Sequence, residues 1–236
     1  ASLSPALTGL TALLGCGPLH HGAAPGEEAR RCHYDVTIVS LDSAELWVRA
    51  SCDGHEVRRF VASEGEMAHQ VTMQTADGRP VLREGAAFLL PEGADATVDY
   101  QLSLHEVARE SGHIDVALES GGAWVAAVST WILAPEPIAE EAVATIAVHT
   151  TEEASFASGL RRKGDGYTLR AGEIRYATYG VFGVIERETI ELPGPQSLQS
   201  GGDATRRAQI ELVTLPGRLE ASPSLLARWL RESAAA

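Results

Sequence analysis

From Tyr34 to about Leu215 the side chains alternate in short, punctuated runs, and this alternation constrains the fold more than any other feature. Tyr34, Val36 and Ile38 alternate with Asp35, Thr37 and Val39, the period-two pattern of a strand that buries one face. Ala44-Glu-Leu-Trp-Val-Arg-Ala50 repeats it. Further strands are predicted at 57–62, 69–74, 87–90, 97–104, 114–118, 124–133, 142–150, 167–170, 173–179, 182–192 and 208–215. Turn chemistry separates them: Asp53-Gly54, Asp77-Gly78-Arg79-Pro80, Gly121-Gly122 and Gly164-Asp165-Gly166. Glycine adopts positive φ without a steric penalty, and proline fixes its own φ. Short strands at this spacing predict an all-β fold, mainly an antiparallel sandwich or saddle-shaped double sheet, with a short C-terminal helix.

The chain has 236 residues, enough for one large or two small domains. Residues 1–33 read as a signal-like segment and flexible tether, 34–217 as a β-rich domain, and 218–236 as the start of a helix leading toward a missing domain. Pro135 and Pro137 suggest a sub-boundary near 135–140. A single sheet system is favoured, because neither half alone has many aromatics for a core. Leu225, Leu226, Trp229 and Leu230 make an apolar helical face with no later segment to pack on. They are the candidate interdomain contact.

The first residues look like an address. Ala6–Gly15 is short, apolar and small, and Leu13-Leu14-Gly15-Cys16 resembles a bacterial lipobox. That resemblance implies export, cleavage before Cys16, lipid attachment there and residence in the bacterial envelope or periplasm. A run of this length cannot span a bilayer, which takes about 20 residues, but it suits a signal-peptide core. The segment lacks the initiator Met and basic flank that such a signal carries. With Cys16 acylated, Cys32 and Cys52 form an even set around the first strand pair; a disulfide between them and two separate thiols both remain open. No Cys-x-x-Cys occurs, so a zinc ribbon or thioredoxin-type site has no support.

Net charge is -13, with 32 Asp and Glu against 19 Lys and Arg. Binding to a nucleic-acid backbone needs clustered cations that displace counterions. The only tight basic run, Arg161-Arg162-Lys163, leads straight into a glycine turn and reads as solvated surface. Nucleic acid is therefore not an expected partner, and a membrane is one only through the lipid anchor.

The order of several segments resembles the N-terminal β domain of glycyl-aminopeptidase-like zinc peptidases, in the aminopeptidase N clan. These are the Tyr-x-Val-x-Ile strand, the Asp-Gly-Arg-Pro turn, Val98-Asp-Tyr-Gln-Leu102, and Ser129-Thr-Trp-Ile-Leu-Ala-Pro135 running into Ala144-Thr-Ile-Ala-Val148. Ile210-Glu-Leu-Val-Thr-Leu-Pro-Gly217 and the following helix resemble the approach to the catalytic domain. The resemblance covers roughly 34–236. It implies a domain that walls the substrate cleft, a catalytic domain of the same chain as its partner, and a peptide as substrate of the whole.

In that family an H-E-x-x-H helix and a downstream Glu hold zinc. Here the nearest string is His105-Glu106-Val107-Ala108-Arg109, and the ever-protonated Arg109 cannot ligate a metal. His105, Glu106 and His113 form only a weak metal set; the preferred reading is an exposed polar hairpin. No cofactor is therefore expected in this chain, and zinc only in the missing domain. Neither a G-x-S-x-G elbow nor a phosphate loop occurs. Trp47, Trp124, Trp131 and Trp229 are expected in the core or on a sheet face. A row of exposed aromatics would instead favour the alternative, a cell-surface adhesin or carbohydrate-binding lipoprotein.

Overall fold

The computed structural model describes residues 31–53, 57–63, 65–113, 116–137, 141–176, 178–191, 209–216 and the positions 224, 226, 228 and 229. In the first half the strands are β1 (Arg31–Ser40), β2 (Glu45–Cys52), β3 (Arg59–Val61), β4 (Thr72–Ala76), β5 (Arg79–Pro80), β6 (Leu82–Glu84), β7 (Ala87–Leu89) and β8 (Thr97–Ser103). The second half adds β9 (Ala117–Ser120), β10 (Ala123–Ala127), β11 (Ala134–Glu136), β12 (Val143–His149), β13 (Ser155–Ser158), β14 (Arg161–Lys163), β15 (Gly166–Arg170), β16 (Tyr179–Gly183), β17 (Glu186–Glu191) and β18 (Gln209–Thr214). Among the described residues helices are few: α1 (Gly65–Gln70), α2 (Leu104–Ser111), α3 (Val128–Trp131) and a 3-10 turn, Ala171–Tyr176, with helical positions also at 224, 226, 228 and 229. The all-β expectation holds.

Eight strands form the main sheet in the order β14-β15-β12-β1-β2-β8-β4-β5. Its pairs are antiparallel except β1 with β12, which run parallel. Smaller sheets have the orders β13-β16-β10-β9, β11-β3-β7-β6 and β17-β18. The alternation predicted for the main strands decides which side is covered. Tyr34, Val36, Leu46, Val48, Val98, Tyr100 and Ala144 are fully buried. His33, Asp35, Trp47, Arg49, Asp99 and Gln101 lie on the opposite face, half-buried or exposed. Shifting any of these strands by one residue would swap the two sets, so burial of one face fixes the register.

One continuous core runs from Cys32 to Phe182, on both sides of Pro135, and includes Phe60, Phe88 and Trp131. Burying each such large side chain stabilises by roughly 1.5–3 kcal/mol before entropy is counted. A small second cluster, Ile190 and Leu212 with Ile210 against them, lies between β17 and β18.

The structure corrects several expectations. Residues 69 and 70 belong to α1 and not to a strand. Met67, Ala68 and Val71 all face the core, a helical spacing that a period-two reading misses. The segment 124–133 leaves its strand at Ala127 and makes a helical turn. It is buried on every side except at Ala127, with Ser129 and Thr130 buried among apolar residues, so periodicity carries no signal there. The expected strand at 173–179 begins as the 3-10 turn. The expected strand at 182–192 is interrupted after Gly183, whose φ of +140° and closeness to Ala123 suit only glycine. The predicted loop at 196–206 lies outside the described residues.

Candidate functional site

The polar hairpin expected at His105, Glu106 and His113 is instead a helix with a cap at each end. The Ser103 hydroxyl accepts the Glu106 N–H at 3.3 Å, satisfying a donor that the first turn leaves free. Gly112, at φ 61°, closes the other end by donating to the Ala108 carbonyl. Leu104 and Val107 anchor the helix in the core. The Arg109 guanidinium pairs with Glu106, one bond measuring 2.9 Å, and this hydrogen bond raises the Arg109 pKa above its ordinary value. His105 lies 3.9 Å from the same carboxylate and packs edge-on against the Trp124 ring. His113 falls beyond the helix cap, where its backbone N–H donates to Ser111. Among the described residues no three His, Cys, Asp or Glu side chains are grouped so that they could hold a metal ion. Zinc does not fit the H-E-x-x-H-like string, because Arg109 already binds the Glu.

Cys32 and Cys52 sit directly opposite each other on β1 and β2, and their sulphurs are joined. Cys16 lies outside the described residues, as do Leu225 and Leu230. Leu226 is half-buried, whereas Trp229 is helical and 59% exposed. Trp124 and Trp131 are buried, and Trp47 is partly exposed on the open face of the main sheet. The aromatics therefore do not form an exposed row. The basic run Arg161–Lys163 is a fully exposed edge strand.

Beneath the open face, two tyrosines hold the irregular segment between β10 and β11. The Tyr34 hydroxyl donates to the Leu133 carbonyl at 3.0 Å. The Tyr100 hydroxyl donates to the Trp131 carbonyl at 3.0 Å and accepts the Leu133 N–H at 3.1 Å. Burial pushes both phenols well above their ordinary pKa; for Tyr100 the backbone bond at Leu133 works weakly the other way.

The open face itself carries a polar constellation that sequence reasoning did not single out. Asp35 lies between two imidazoles, with His33 Nε2 at 3.2 Å from one carboxylate oxygen and His149 Nε2 at 3.5 Å from the other. His33-x-Asp35 is a same-face pair on one strand, which the sequence does reveal. His149 joins it only through the parallel pairing of β1 and β12, and local spacing cannot foretell that pairing.

A crystal structure of an aminopeptidase N family protein from Idiomarina loihiensis matches the fold of this chain with a TM-score of 0.62 at 15% identity, over 86% of this chain. The fold is that of a region of an aminopeptidase N family protein. This chain spans 36% of that protein's length. An M1 zinc metallopeptidase from Deinococcus radiodurans matches over 86% of this chain and 51% of its own, at a TM-score of 0.43 and 10% identity. A variant of it bound to a Tyr-Ser-Ala substrate gives 0.46 and 12%, covering 86% of this chain and 52% of that one. No protein-family model matches the chain, and no curated protein does.

Proposed function

We propose that this is a non-catalytic β domain flanking the catalytic domain of a zinc aminopeptidase-like protein. The observation that carries the reading is the fold match, which takes in 86% of this chain but 36% of a much larger family protein. The main sheet supplies a rigid wall, and the helix bearing Leu226 and Trp229 leads toward the catalytic domain. In this reading zinc and the attacking water belong to that domain, and the substrate is a peptide N-terminus. Export follows from the lipobox-like Leu13-Leu14-Gly15-Cys16, with the lipid on Cys16 as the only membrane attachment.

The alternative, a surface adhesin or carbohydrate-binding lipoprotein, has Trp47 in its favour. Trp124, which that reading would also need on an open face, is buried. The decisive assay compares hydrolysis of aminoacyl anilides by the 236-residue chain and by the product of the complete reading frame. The expected result is none from the former and chelator-sensitive turnover from the latter; turnover by the 236-residue chain itself would overturn the reading. Radiolabelled palmitate should enter the natural precursor in cells and fail to enter a Cys16→Ser variant.

A further inference from the structure

We propose that the turn between β9 and β10 is a clasp that sets the direction in which the chain leaves this domain, with Gly121 and Gly183 as its positioning residues. Ser120 pairs with Ala123, so Gly121 and Gly122 form the turn. The Gly122 N–H donates to the Glu119 carboxylate at 3.0 Å and closes it. Two later segments of backbone press on this turn. A Cβ built on Gly121 would stand 2.8 Å from the Pro216 carbonyl oxygen and 2.9 Å from Pro216 Cβ. A Cβ on Gly183 would stand 2.7 Å from Ala123 Cα and 2.9 Å from the Gly122 carbonyl oxygen. These spacings are tighter than a close-packed interior allows a side chain, so both approaches exist only because the two residues lack one.

The two contacts belong to one element. Gly183 ends β16 just before β17, and Pro216 follows β18, so the turn grips both the entry and the exit of the β17–β18 ribbon. Between those points the strands pair with each other from Glu186–Thr214 to Glu191–Gln209 and carry their own small cluster of Ile190, Ile210 and Leu212. A two-stranded ribbon is marginal by itself, so the direction it takes depends on how its base is fastened. A further tie holds its flank: the Arg187 guanidinium, paired with Glu211 at 2.9 Å, donates to the Phe156 carbonyl of β13. The helical positions Ser224 and Trp229 come after Pro216 in the chain, which starts toward them from the clasp. The functional consequence rests on the reading proposed above: with a catalytic domain after that helix, the clasp fixes the angle between the two domains and so the width of the substrate cleft. The clasp itself does not need that reading.

The test compares Gly121→Ala with Gly164→Ala by hydrogen–deuterium exchange of the full 236-residue chain. Both glycines have φ +60°, but nothing lies within 4 Å of a Cβ at Gly164, so that variant carries the backbone strain without the contact. Gly121→Ala should speed amide exchange in residues 209–216 by about ten-fold or more and leave β1 and β2 protected, whereas Gly164→Ala should leave 209–216 unchanged. Equal exchange at 209–216 in the two variants, or protection lost throughout the main sheet, overturns the proposal. In the product of the complete reading frame, Gly121→Ala should raise KM for a peptide by about three-fold or more with kcat little changed, the pattern of disturbed binding and not of disturbed chemistry. An unchanged KM there overturns the domain-positioning role even where exchange supports the clasp. An inactive wild-type product counts against the peptidase reading instead, and the exchange result alone then decides the clasp.

Discussion

Tyr100→Phe should cost far more stability than its small change in volume suggests. The phenol ring is fully buried and its hydroxyl bonds two backbone groups, the Trp131 carbonyl at 3.0 Å and the Leu133 N–H at 3.1 Å. Phenylalanine keeps the apolar contacts and opens little cavity, so the loss falls on those two groups. Each buried group left without a partner costs about 1–3 kcal/mol, so the expected destabilisation is roughly 2–4 kcal/mol. Tyr34→Phe removes a single bond, to the Leu133 carbonyl, and should cost about 1–2 kcal/mol. Urea unfolding followed by circular dichroism measures both, and for m-values of about 2–3 kcal/mol/M the Tyr100→Phe midpoint falls by about 1 M. A loss below about 0.5 kcal/mol, or one no larger than that of Tyr34→Phe, would refute the view that these hydroxyls pin the Trp131–Leu133 segment.

Three further outcomes follow from the same packing. Burial raises the folded-state pKa of Tyr34 and Tyr100, so the stability present below the ordinary tyrosine pKa of about 10 is lost as pH rises from there toward the folded value. Each phenol contributes at most about 1.4 kcal/mol per pH unit, and a Tyr34→Phe, Tyr100→Phe double variant should show a visibly flatter decline in urea midpoint on the alkaline side. Cys32 and Cys52 are 20 residues apart, and losing their bond, by reduction or by Cys32→Ser with Cys52→Ser, should lower stability by about 2–4 kcal/mol; an unchanged midpoint in reductant would count against the cross-link. A Cβ on Gly183 would lie 2.7 Å from Ala123 Cα at φ +140°, so Gly183→Ala should cost roughly 2–4 kcal/mol, whereas Gly164→Ala, with open space around it, should cost about 1–2 kcal/mol. Thermal melts of the two variants compare them directly.

The readable part of the fold is the part with one wet face. β1, β2, β8 and β12 alternate because the core covers only one side of the main sheet, so their side chains carry the period. Cys32 and Cys52 bracket the first strand pair in sequence and prove to be opposite each other in register. Where both faces are covered, as from Val128 to Leu133, the period disappears and the helical turn with it. The helix α2 left a signature, Ser103-x-x-Glu106 closed by Gly112, but the alternation of the preceding strand masked it. The Asp35 constellation was harder still. His149 is 114 residues from Asp35, and a parallel partner is chosen by the whole sheet and not by any local turn. The family resemblance rested on the order of strands, and the fold match supports it at that level.

The central claim is that this β domain serves a zinc-binding catalytic domain in the same polypeptide. The most direct measurement is the nucleotide sequence downstream of the codon for Ala236. The account predicts an open frame continuing through the helix of Ser224 and Trp229 into an H-E-x-x-H motif with a later Glu, the ligand set of a zinc peptidase. A stop codon directly after Ala236, or a continuation without that motif, would contradict it.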